Sequence, residues 1–232
     1  MRKNYKYVGL IIIILVFGII FIPKIVDRLA NDTAVQDNRS LPAKPLAYIK
    51  LDGEAKRVPD FLMHNQDSLL ISNEDYLGKV YVAEFFFSRC PTICPIMNRN
   101  MKILDDRFWK RQDFGIASFT IDPAHDTPLI LKEYSQRYKV KSQNWHFLND
   151  EKDQIYKLAN SGFSIFASIN PEVAGGFEHQ GYFALIDKKG YIRSRLDRFD
   201  NPIVYYLGID REDQDIQGVE MLLEDIELLL KE

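Results

Sequence analysis

Both cysteines of this 232-residue chain fall in one short stretch, "FFFSRCPTICPIMNRNM" (85–101), at Cys90 and Cys94, and a proline follows each. Thiols four apart at the end of an apolar run can do two kinds of chemistry. They can open and close a disulfide, or they can hold a metal ion as two thiolates. A residue before proline is pushed out of the α region, so Cys90 belongs to the loop. Cys94 precedes Pro95, and proline suits the first turn of a helix. The sequence therefore predicts Cys94 at the N-cap of the next helix, where free N–H groups and the helix dipole favour a thiolate. A pair of structural cysteines, packed or permanently bridged, fits this double-proline, strand-to-helix setting less well.

Alternating strands and helices are predicted to position the pair. "KVYVAEFFF" (79–87) is a nearly continuous apolar run, as expected of a strand buried on both faces. "PIMNRNMKILDDRFWK" places Ile96, Met97, Asn100, Met101, Leu104 and Phe108 at helical spacing. "DFGIASFTID" (113–122) reads as a second buried strand. Thr127 with Pro128 opens a helix running to about Tyr138, and "DEKDQIYKLANSG" predicts another that stops near Gly162. "LAYIKLDG" and "SLLIS" are short strands ahead of this core. "YFALIDKKGYIRSRL" (182–196) is a hairpin turning at Lys189 and Gly190, and "QGVEMLLEDIELLLK" is a closing amphipathic helix. The pattern indicates an α/β sandwich with a mixed central sheet.

The ends and the bulk composition narrow the function. Hydrophobic residues make up 46% and charged residues 27%, as in an ordinary globular chain. A net charge of −3 with scattered lysines and arginines argues against nucleic-acid binding. Arg2, Lys3 and Lys6 precede fifteen uncharged residues from Val8 to Ile22, and no small-residue cleavage site follows. The expectation is a cytoplasmic N-terminus (1–6), one transmembrane helix as anchor (7–25), a polar linker (26–45) and a domain over 46–232. That places the domain on the extracytoplasmic, periplasmic side of the cell (inner) membrane, where two cysteines are free to form a disulfide.

Three stretches in order resemble the SCO/SenC family of copper-binding assembly factors, which have a thioredoxin-like fold. "FFFSRCPTICP" is similar to that family's Cys-x-x-x-Cys-Pro motif. "TIDPAHDTPLILKEY" (120–134) is similar to its Asp-Pro-x-x-Asp-Thr-Pro stretch, and "EHQGYFALID" supplies a histidine, His179, ahead of a late strand. With "DYLGK" before the first core strand, the resemblance spans about residues 58–196. It implies copper held by Cys90, Cys94 and His179, bound for the CuA-bearing subunit of cytochrome c oxidase or another copper-accepting protein. It also implies a metallochaperone, not an enzyme with turnover. Two thiolates suit Cu(I), and an added imidazole allows Cu(II). The loop before His179, "NPEVAGGFE" (170–178), is expected to move the histidine in and out.

Glu84 does not belong to that pattern. It lies six residues before Cys90 inside the apolar strand, where a thioredoxin-like reductase places a buried acid for proton transfer. Glu84 is therefore either a proton acceptor or the partner of a nearby lysine or arginine. The first choice keeps a second function open: a thiol-disulfide reductase using Cys90, Cys94 and Glu84 to keep copper-ligand cysteines of the oxidase reduced. A redox-sensing binding module is a third. Against exchange, the place where such reductases carry a cis-proline holds His179. Glu178 stands where the family often has an acid beside the histidine. His64, His125 and His146 read as surface or locally bonded residues, with Asp122 and Asp126 fixing a turn.

Overall fold

The computed structural model describes residues 14–19, 21–23, 45–197 and 199–232. Residues 14–19 and 21–23 are helical, and no helix among the described residues is long and apolar enough to cross a membrane. The rest of the expected anchor, the N-terminus 1–6 and nearly all of the expected linker lie outside the described residues. The chain divides into a unit at Met1–Asn38 and one at Arg39–Glu232, and the second contains both cysteines and His179.

Short strands β1 (Ala47–Tyr48), β2 (Lys50–Leu51) and β3 (Glu54–Ala55) lead to a hairpin of β4 (Leu62–His64) and β5 (Leu70–Ser72). The core then alternates as β6 (Val80–Phe86), α1 (Cys94–Phe108), β7 (Phe114–Thr120), α2 (Pro128–Arg137) and β8 (Trp145–Leu148). Helix α3 (Lys152–Lys157) runs into a π-helical turn at Leu158–Phe163, followed by a ribbon of β9 (Ala167–Ile169) and β10 (Phe177–His179). Strands β11 (Tyr182–Ile186), β12 (Ile192–Ser194) and β13 (Tyr206–Leu207) and helix α4 (Gly218–Lys231) complete the chain.

The central sheet is mixed, in the order β1-β12-β11-β6-β7-β8, with β13 also paired to β11. Strands β6, β7 and β8 are parallel, while β11 runs antiparallel to β6. Every residue of β6 and β7 is buried, as parallel strands covered on both faces must be. On one face Phe85 meets Phe119 and Phe163. On the other, Phe86 packs on Tyr134 of α2 and on Phe147. Each such ring, fully buried, contributes roughly 1.5–3 kcal/mol. Helix α1 turns Met97, Met101, Leu104 and Phe108 inward, at the predicted spacing.

Several boundaries differ from the sequence reading. The cap of α1 is Ile93, so Cys94 is the first helical residue and not the N-cap. Pro95 is tolerated there because the N–H groups of a first turn have no intrahelical partner in any case. Strand β8 has no counterpart in the sequence reading, since four residues around Trp145 carry too little periodicity to show themselves. The predicted stop near Gly162 holds to within a residue: the π-helical turn ends at Phe163, and Ser164, not the glycine, takes the left-handed conformation (φ 55°). Thr127 caps α2 as predicted, its hydroxyl accepting the Ile130 N–H at 3.5 Å.

Candidate metal centre

The cysteine loop leaves the carboxyl end of β6, where open α/β sheets place their ligand sites. Two buried acids fasten it. Asp126 accepts the Ser88 N–H at 3.0 Å, the Ser88 hydroxyl, and the Thr120 hydroxyl at 2.5 Å. Asp122 takes Arg89 through Nε at 3.1 Å and Nη2 at 2.5 Å. Expected to fix a turn, the two carboxylates hold the two residues that precede Cys90.

The register of β11 on β6 delivers the third group. Phe183 pairs with Glu84, so the chain four residues earlier on β11's side runs alongside the chain just past the end of β6. His179 therefore arrives beside the cysteine loop. It is the last residue of β10, opposite Ala167 of β9, so it sits on a paired ribbon and not on a free loop. The ribbon's turn comes down on the site at Gly175 (φ 90°), where a Cβ would lie 2.9 Å from the Phe87 ring and 3.2 Å from Pro91. Only glycine permits that approach. Phe87 in turn meets the His179 ring edge to face, with centroids 5.9 Å apart.

One donor atom from each of Cys90, Cys94 and His179 lies within 4.8 Å of the other two. Nε2 of His179 is 3.2 Å from Sγ of Cys94, while Nδ1 faces the Gln180 carbonyl at 3.3 Å. A carbonyl can only accept, so Nδ1 carries the proton and Nε2 is the nitrogen turned toward the sulfurs. Such a bond also holds the ring in the orientation that metal-bound histidines adopt. No other group of three histidine, cysteine or carboxylate donors converges among the described residues. His64 is exposed, His125 is half-buried, and His146 is bonded through Nδ1 to Asn65. Glu178 faces solvent and accepts from Asn170, away from a ligand role.

The two sulfurs are unequal. Cys90 is pulled down to about 3, chiefly by hydrogen bonding from the Cys94 thiol, with the Cys94 and Thr92 backbone helping. Cys94, wholly buried, is pushed far up by desolvation and by the Cys90 charge. The pair thus holds one thiolate, on Cys90, and one proton, on Cys94. Neither sulfur is in a disulfide. Soft donors of this kind, a few ångströms apart with an imidazole, suit a soft or borderline first-row ion such as copper.

Glu84 is completely buried, and no lysine or arginine among the described residues meets it. Its Oε1 accepts the Ser118 hydroxyl at 2.7 Å, and Ser118 accepts the Trp145 indole N–H at 3.0 Å. Its Oε2 has no partner. Burial raises the carboxyl to about 7, against the opposing Ser118 bond. The alternative of a paired cation is therefore corrected: Glu84 is a near-neutral acid at the edge of ionisation. Asn98 was not anticipated either. It donates to the Cys94 carbonyl at 3.1 Å, steadying the first turn of α1.

Known proteins are similar to this chain in sequence and fold. The chain is 32% identical over 146 residues to a SCO1 protein homolog of Bacillus subtilis, covering 62% of this chain and 75% of that one. A Stutzerimonas stutzeri protein, named as a candidate copper-binding protein, is 26% identical over 65% of this chain and 74% of its own. Among solved structures, BsSco, described as a cytochrome c oxidase assembly protein with a disulfide switch, aligns with TM-score 0.61 and 26% identity. That alignment covers 79% of this chain and 95% of BsSco. The sequence pattern of the SCO1/SenC family matches residues 50–212, from β2 through the cysteine loop and His179 to β13 and the loop beyond, and the chain belongs to that family.

Proposed function

We propose that this protein carries one copper ion on Cys90, Cys94 and His179 and passes it to a copper-accepting protein, the CuA-bearing subunit of cytochrome c oxidase. The observation that carries the reading is the 3.2 Å approach of Nε2 of His179 to Sγ of Cys94 at the mouth of the cysteine loop. Thiolates and a neutral imidazole prefer copper over hard cations. Cys90 is already a thiolate, so binding displaces one proton, that of Cys94. Three protein donors leave a coordination position where an acceptor's ligand can enter before the others leave. The anchor over 7–25, with the domain outside the cell membrane, completes the proposal and sets the acceptor in reach of a membrane enzyme.

The test is copper titration of the reduced chain, anaerobically, beside His179→Ala. The expected result is one equivalent, with the Cu(II)–thiolate absorption lost and Cu(II) affinity about hundredfold weaker in the variant. Binding that ignores the substitution would exclude the three-ligand centre.

A second reading, thiol-disulfide reduction, is favoured by one feature. Glu84 is close enough for its charge to raise the Cys94 thiol, and it keeps an unpartnered oxygen in a dry site. In that role Cys90 attacks a partner disulfide, Cys94 resolves the mixed disulfide and Glu84 takes the Cys94 proton. The reading requires Glu84 and is indifferent to His179, so Glu84→Gln and His179→Ala separate it from copper carriage.

A further inference from the structure

A surface pocket of 450 Å³ opens beside the ribbon that carries His179, lined by Lys56, Ser164, Gln180, Tyr182, Leu51 and Val204 among others. Lys56 is the unusual member. Only 9% of it is exposed, and its ammonium bonds to the Ser164 hydroxyl at 2.7 Å. No carboxylate among the described residues pairs with it, and burial lowers its affinity for the proton with no acid to offset this. A buried lysine normally has an acidic partner, because an uncompensated charge in a dry site is costly.

The remaining donors point the same way. The Ser164 hydroxyl, having accepted from Lys56, keeps a proton to give. Gln180 spends its side-chain oxygen on the Phe166 N–H at 3.0 Å, which leaves its amide N–H groups available. Three donors and no carboxylate in the lining describe a site for a carboxylate. On the rim Leu51 and Val204 are both exposed, beside Lys50. Val204 is also held at φ 68°, a conformation that a β-branched residue adopts only under strain.

We propose that this pocket receives an acidic side chain, flanked by apolar residues, on an extended segment of the protein that accepts the copper. The partner's identity rests on the copper-transfer reading; the carboxylate site does not. Gln180 links the two. Its side chain lines the pocket while its carbonyl orients the imidazole of His179. A docked carboxylate thus engages the residue that aims a metal ligand, and places the acceptor beside the centre.

The test uses the full chain, copper-free, in detergent micelles, titrated with the acetylated and amidated peptide Leu-Glu-Leu and with Leu-Gln-Leu. The acidic peptide should bind about tenfold tighter, moving the NMR signals of Ser164 and of the Gln180 side-chain amide. Lys56→Met should abolish the difference. Should that variant unfold, the signal shifts in the unaltered chain decide alone. Equal binding of the two peptides, or signals unmoved at Ser164 and Gln180, overturns the proposal. Acetate binding as tightly as the peptide also overturns it, since the site is then one for free anions. Because no copper is present, failure here is distinct from failure of the metal centre.

Discussion

Nε2 of His179 stands 3.2 Å from Sγ of Cys94, across 85 positions of sequence. The antiparallel register of β11 on β6, fixed by the Phe183–Glu84 pair, accounts for the meeting. Burial and the direction of each hydrogen bond then set what the two groups do chemically.

Cys90 should be the reactive thiol. Its ionised form accepts the Cys94 N–H at 3.5 Å and lies near the Thr92 hydroxyl at 3.6 Å, whereas Cys94 is buried and protonated. At pH 6 iodoacetamide should label Cys90 at least about tenfold faster than Cys94. Fragment-ion mass spectrometry of the peptide holding both will read the ratio. Preferential labelling of Cys94 would reverse the assignment of the thiolate.

Glu84 should make stability depend on pH in a definite sense. Its carboxyl is raised from 4.5 to about 7, so the protonated form favours the folded state. That stabilisation is full below pH 4.5 and is lost as pH rises through about 7. The shift corresponds to at most about 3 kcal/mol. Glu84→Gln keeps the shape and the Ser118 bond without the charge. Urea unfolding should give the same difference in stability between the two chains at about pH 4 and below, with the variant gaining about 2–3 kcal/mol on the parent by about pH 8. A difference independent of pH would mean that Glu84 does not titrate in this range.

Gly175→Ala should disturb the centre from outside it. The new Cβ meets Phe87 at 2.9 Å on a backbone with φ 90°, and Phe87 bears on His179. We expect a loss of about 1–3 kcal/mol in stability and about tenfold in copper affinity. Gly53→Ala is the control: its φ is 88° but nothing lies within 4 Å of the added carbon. Both variants carry backbone strain, so only the first should change copper binding in a competition titration. Equal copper affinity in the two would remove the Phe87 link.

Helix α4 lies beyond the residues matched to the family, yet it should be essential to the fold. Arg195 grips Asp225 through two bonds of 2.8 Å, and the Tyr206 hydroxyl donates to the same carboxylate at 2.6 Å. Asp225→Ala takes the main counter-charge from a buried guanidinium and should cost about 3–5 kcal/mol in denaturant unfolding. Adding Arg195→Met should restore part of the loss, because the uncompensated cation is then gone. No recovery in the double variant would indicate that packing, not charge, sets the cost.

Much of this was legible in the residues themselves. The two buried strands, α1 and the cap of α2 follow from apolar periodicity and from the positions of Thr127, Pro95 and Pro128, because these preferences are local. Type and spacing narrowed the cysteine pair to a disulfide or a metal, and the order of three motifs brought His179 into the set by resemblance. Other features were beyond a linear reading. Strand β8 and the β9–β10 ribbon are too short to carry a period, and exist because neighbouring strands complete their hydrogen bonds. The choice of Cys90 as thiolate depends on which sulfur faces the Cys94 N–H and which is wholly desolvated. Glu84 could be seen as out of place, but its partner could not: whether a cation or Ser118 meets it is decided by β7 lying in register beside β6. Lys56 showed no signal at all, since a lysine becomes unusual only when the fold buries it without an acid. Sequence sets each group's chemistry; packing decides which groups meet and how much water remains between them, and on that their protonation depends.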